Sequence, residues 1–108
     1  MARMYTLDKK LLTGVPEIRI GDDIITVDDR EKTVKKALKL MKDDTVDEVE
    51  KFDKVLKMVL SAKDFKKVDE MNLPWAAYQE LLTLVMSAMT GEEPEVIEER
   101  FPEITTSK

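Results

Sequence analysis

The spacing of apolar residues changes character along the chain. Glu17-Ile18-Arg19-Ile20 and Ile24-Ile25-Thr26-Val27 are short β-branched runs on either side of Gly21-Asp22-Asp23, residues suited to positive φ and tight turns. They predict a β-hairpin. A hairpin alone is marginal in water, so its Ile18/Ile20 face is expected to pack on the helices downstream. Beyond Val27 the period lengthens. Val34, Ala37, Leu38 and Met41 recur at i, i+3, i+4 and i+7, the mark of an amphipathic helix, with Asp28 or Asp29 placed to cap it. Asp43-Asp44 stops that helix, and Thr45 with Glu48 forms a capping-box pattern for a second one over 46–61. The first half of this second helix is one-sided through Val49, Phe52 and Leu56. Its end, from Val55 to Leu60, is apolar around most of the circumference and is expected to be central to the core.

A short helix over 64–71 comes next, with Phe65 and Val68 inward. Asn72-Leu73-Pro74 then restarts the chain, Asn as a cap and Pro in a first turn where its missing N–H is harmless. The helix expected over 73–90 is the most informative segment. Leu81, Leu82, Leu84, Val85, Met86, Ala88 and Met89 surround its axis, leaving a thin polar strip of Gln79, Thr83 and Ser87. Such a helix must be covered nearly all round. Either the monomer core covers it, or a protein-binding surface at Trp75, Leu82, Val85, Met86 and Met89 awaits a partner; flexible methionine suits the second role. Gly91 is the expected stop in left-handed conformation. Glu92-Glu93-Pro94-Glu95 opens a brief helix to about Arg100, pinned by Phe101 and Ile104.

The predicted fold is therefore mainly α, or α+β by strict count. A short N-terminal β-hairpin precedes a compact bundle of four to five helices. Residues 1–16 read as an irregular N-terminal arm broken at Thr13-Gly14-Val15-Pro16, residues 17–104 as one domain, and residues 105–108 as a loose tail.

Composition narrows the function. A chain of 108 residues has the length of a single domain. With 38% charged and 43% hydrophobic residues, it is too apolar for a disordered chain and too interrupted for a membrane span. The start lacks the apolar stretch of a signal peptide, so a cytoplasmic location is expected. Cysteine and histidine are both absent. Thiolate nucleophiles, Cys-ligated zinc, the usual neutral-pH base and the commonest metal ligand go with them. No glycine-rich phosphate loop is present, so no catalytic residue, cofactor, metal or small-molecule substrate is expected. The acidic pairs Asp22-Asp23, Asp28-Asp29 and Asp43-Asp44 lack the ligand alternation of a calcium loop and read as turn and cap residues.

The net charge of −5 is unevenly spread. Residues 30–67 carry twelve basic against eight acidic groups, and residues 68–108 two against nine. Lys32, Lys35, Lys36 and Lys39 form one helix face, and Glu95, Glu98 and Glu99 another. Both read as solvated faces or as complementary surfaces for head-to-tail self-association into a homo-oligomer. An acidic total disfavours nucleic acid as partner.

The hairpin 17–27 and the segment Tyr78-Gln79-Glu80-Leu81-Leu82-Thr83-Leu84-Val85-Met86-Ser87-Ala88-Met89-Thr90-Gly91-Glu92 resemble the tail assembly chaperones of long-tailed phages and prophages. The shared form is a short strand pair, a helical middle, and an apolar helix closing on small residues, Gly and acid. The arm at 1–16 is not part of that pattern. The resemblance implies a protein that coats the hydrophobic tape-measure protein in the bacterial cytoplasm until tail-tube subunits displace it, and that does not stay in the mature particle. It also implies a family often made in two lengths by frameshifting. The alternatives are a structural or adaptor subunit of the virion, and a small acidic regulator binding a host protein.

Overall fold

The computed structural model describes residues 15–105 together with Met4. The order of elements is β1 (Glu17–Ile20), β2 (Asp23–Thr26), α1 (Glu31–Met41), α2 (Glu48–Val59), α3 (Ala62–Met71), α4 (Trp75–Thr90), α5 (Pro94–Arg100) and a final helical turn, α6 (Pro102–Thr105). The fold is mostly α, with a two-stranded antiparallel hairpin as its β part, as the periodicity predicts.

In the hairpin, Ile18 faces Ile25 and Arg19 faces Ile24. Ile18 and Ile25 are buried while Arg19 and Ile24 are exposed, the alternation that a pleat imposes. Ile20, expected beside Ile18 in the core, is only partly covered. Gly21 has φ 60° and is the first of the two loop residues, the place where a type II′ turn requires glycine. The Val27 N–H donates to the Pro16 carbonyl at 3.0 Å, so the end of the expected arm belongs to the hairpin. Apart from Met4, the rest of the arm lies outside the described residues, as does the tail beyond Thr105, which itself ends α6.

Hydrogen bonds moor the hairpin to the helices. The Asp28 N–H donates to the carbonyl of Val59 at 2.8 Å, and the Thr26 N–H, on the outer edge of β2, donates to Asp64 Oδ2 at 3.1 Å. A strand edge that would otherwise invite foreign pairing is thereby occupied.

Several helix starts differ from the sequence expectation: Asp47 and Ser61 cap α2 and α3 with their side chains, whereas α1 and α4 begin without a side-chain cap. Arg30, not Asp28 or Asp29, stands at the N-cap of α1; Asp28 instead accepts from the Arg30 N–H at 3.0 Å and from the Thr33 hydroxyl at 2.8 Å. These bonds hold its carboxyl below the usual carboxylate range. The Thr45/Glu48 capping box does not form. Asp43 captures the hydroxyl and N–H of Thr45, which lowers the Asp43 pKa, and Asp47 caps α2 from two residues later. Ser61 closes α2 two residues early by capping α3, its Oγ accepting from the Asp64 N–H. Asn72 ends α3 in left-handed conformation (φ 45°) and does not cap α4, whose N-cap is Pro74. Gly91 stops α4 at φ 78°, as expected.

The core gathers around α4, which packs on β1, α2, α5 and α6. Phe52, Val55, Leu56 and Val59 of α2 meet it from one side, and Ile97, Phe101 and Ile104 from the other; all are buried. Each such side chain contributes roughly 1.5–3 kcal/mol. Even the polar strip is covered. Thr83 is fully buried and donates its hydroxyl to the Gln79 carbonyl at 3.2 Å, while Gln79 Nε2 is buried with no hydrogen-bond partner among the described residues. Lys51 is buried too, its Nζ donating to the Met41 carbonyl at 3.2 Å, where a cation meets the negative end of α1.

Candidate functional site

Of the five residues expected on a partner surface, four lie in the core. Leu82, Val85 and Met86 have no exposed surface and Met89 has 6%. The core alternative accounts for them, because α5 and α6 cover the C-terminal part of α4 that the sequence left without an assigned neighbour. Trp75 is the exception at 45% exposure. It sits in the first turn of α4, where Ala76 and Ala77 are exposed as well.

Around this turn lies a cleft with a volume of about 200 Å³, framed by α2, α3 and the start of α4. Its floor is apolar, made by buried Leu56 and Val68 with partly buried Phe65 and Leu73. Trp75 stands at its rim with Val49, which is 51% exposed. The one-sided pattern of α2 predicted Val49 to be inward like Phe52 and Leu56. It lies in the first turn of α2, where no other element covers it.

The aromatic rim is fixed in place. Trp75 stacks on Tyr78 with ring centroids 5.4 Å apart and planes inclined by 19°. The Tyr78 hydroxyl donates to Asp53 Oδ1 at 2.6 Å. Burial raises the phenol's pKa above its ordinary value of 10.0, and the bond to Asp53 and that residue's negative charge raise it further, so Tyr78 is a neutral donor at physiological pH. Asp53 on α2 and Asp69 on α3 also line the cleft, and among the described residues no Lys or Arg forms an ion pair with either. Close by, Lys57 Nζ lies 5.5 Å from the centroid of the Phe65 ring. Sequence reading singled out Trp75 but not Val49, Asp53, Phe65 or Tyr78. The available signal was the aromatic pair at i, i+3 directly after Pro74, on the one turn of α4 that carries no aliphatic side chain larger than alanine.

The charged faces are where the pattern puts them. Lys32, Lys35, Lys36 and Lys39 are exposed on α1, and Glu95, Glu98 and Glu99 on α5. Lys35 pairs with Glu31 at 2.7 Å, with both side chains 72% exposed, so that bond is weak. Helix α1 packs on α2, whereas α5 packs on α4 and α6, which keeps the two faces on separate parts of the molecule. Among the described residues no three acidic side chains gather closely enough to hold a metal ion, and no helix is long and apolar enough to cross a membrane.

Compared with protein-family models, curated proteins and solved structures, the chain matches none.

Proposed function

We propose that this protein acts by binding another protein chain, and specifically that it is a tail assembly chaperone for a phage tape-measure protein. The observation that carries the binding reading is the cleft beside Trp75. There the large apolar side chains of Val49 and Trp75 are exposed beside an apolar floor. Exposed apolar surface beside an apolar cleft supports a reading as an interaction site. The chaperone assignment adds the resemblance of the hairpin and the apolar helix closing at Gly91. Under it, the protein works in the bacterial cytoplasm without catalysis or cofactor, shields apolar helical segments of the tape-measure protein, and yields them to tail-tube subunits. The Lys face of α1 and the Glu face of α5 would join copies head to tail along the client.

The test is co-expression with fragments of the tape-measure protein from the same gene cluster. The protein should keep such a fragment soluble and co-purify with it, and this chain should be missing from finished particles. Failure to bind any fragment removes the chaperone assignment. Recovery of the chain in purified particles replaces it with a structural subunit.

A further inference from the structure

We infer that the cleft between α2, α3 and the start of α4 takes a helical segment of a partner protein, seating one large apolar side chain with a Lys or Arg one turn away. This rests on the protein-binding reading above and names what binds. The cleft's volume of about 200 Å³ falls below the roughly 300–1,000 Å³ of small-molecule sites. It is the size for a side chain or two, not for a cofactor.

The lining determines the form of the partner. Apart from Asn72, the residues around the cleft offer side chains that are apolar, aromatic or acidic, and no strand edge borders it. An extended peptide would leave its own backbone groups without partners there. A helix satisfies them internally, so a helix is the conformation that can be laid in at least cost.

Charge determines the flanking residue. Both charged residues that line the cleft are acidic, Asp53 from α2 and Asp69 from α3, and they approach from two sides. Asp53 uses Oδ1 for the Tyr78 hydroxyl, which leaves its other oxygen for a cation. Lys57 lies over the Phe65 ring, and among the described residues it forms no ion pair with either carboxylate. On a partner helix, residues at i and i+3 or i+4 share a face. An apolar side chain on the floor then carries a Lys or Arg at that spacing to the acidic wall, while Trp75 packs over the stem.

The experiment is selection of a displayed random peptide library, about 15 residues and so roughly four helical turns long, against the intact protein. Enriched peptides are then made with a fluorescent label, and binding is read by anisotropy. The expected consensus is Leu, Met or Phe with Lys or Arg three or four residues away. Binding should weaken at least tenfold in Trp75→Ala and about threefold to tenfold in the double variant Asp53→Asn/Asp69→Asn, with further loss as salt is raised. Glu17→Gln, the same type of charge change on the exposed side of the hairpin, should bind like the parent. Circular dichroism verifies that each variant is folded. No enrichment, a consensus without basic residues, or folded cleft variants that bind unchanged would overturn the inference. Peptide binding here combined with failure to capture a tape-measure fragment would remove the chaperone assignment and keep the cleft. Capture of that fragment unaffected by Trp75→Ala would do the reverse.

Discussion

Replacing Gln79 with Met should make the protein more stable. Gln79 is 7% exposed, and its Nε2 finds no hydrogen-bond partner among the described residues. A buried donor left unpaired costs about 1–3 kcal/mol, because it gave up water and received nothing in return. Methionine has similar length and volume, so the change removes the amide without opening a cavity, and volume-conserving swaps cost less than about 1.5 kcal/mol. The local hydrogen bond survives, since the Thr83 hydroxyl is bound to the Gln79 backbone carbonyl, which no side-chain change removes. The net expectation is a gain of about 1 kcal/mol. For a chain of this size that raises the melting temperature by about 4 °C or more, and it moves the urea midpoint by several tenths of a molar at a slope of about 1–3 kcal/mol/M. Gln79→Glu is the opposing control, because it places a charge where even an amide is unpaired. Should Gln79→Met melt at or below the parent temperature while Gln79→Glu is tolerated, the amide is hydrated or paired and the argument from an uncompensated donor is refuted.

Other changes test other parts of the fold. Lys51→Ala should destabilise by about 1.5–3 kcal/mol in denaturant unfolding, since it removes a charged donor from the last carbonyls of α1 and empties a buried site. Gly91→Ala meets no neighbour within 4 Å, so its cost is backbone strain alone, about 1–2 kcal/mol for a left-handed position. Tyr78 predicts an alkaline dependence: its folded pKa is raised, so the stabilisation is whole below the ordinary value of 10.0 and is lost as pH rises beyond it. Absorbance titration should show a tyrosine ionising later than usual, and Asp53→Asn, which keeps an acceptor but removes the charge, should bring that step down.

Much of the fold could be read from periodicity. The hairpin, the helices and the glycine stop of α4 arise from local pattern and turn chemistry, which act within a few residues. The errors fall at helix starts, where several capping side chains compete within reach and the winner depends on loop geometry. Thr45 lost to Asp47 because Asp43 had already engaged it. The proposed binding surface was legible only in part, since Trp75 was marked by type while its four companions were chosen by periodicity. Periodicity tells which residues need cover, not what supplies it. Part of the cover on α4 comes from α5 and α6, in a segment whose pattern is too short to show a face.

That cover also explains where a partner can act. Helix α4 runs for 16 residues, and in its first turn Trp75, Ala76 and Ala77 are exposed. The proposed site is therefore at the start of the helix and not along its length. A small cleft there has one advantage over a broad methionine face. Trp75 is already stacked and Tyr78 already tied to Asp53 before anything binds, so ordering these rings costs little at the moment of contact. Removing the tie while keeping both rings should then weaken binding through lost preorganisation. Tyr78→Phe is expected to bind a cleft-directed peptide about twofold to fivefold more weakly at unchanged stacking area, which corresponds to roughly one immobilised side chain of about 0.5–1 kcal/mol. Equal affinity for Tyr78→Phe and the parent would show that the Asp53 bond orders nothing the partner uses.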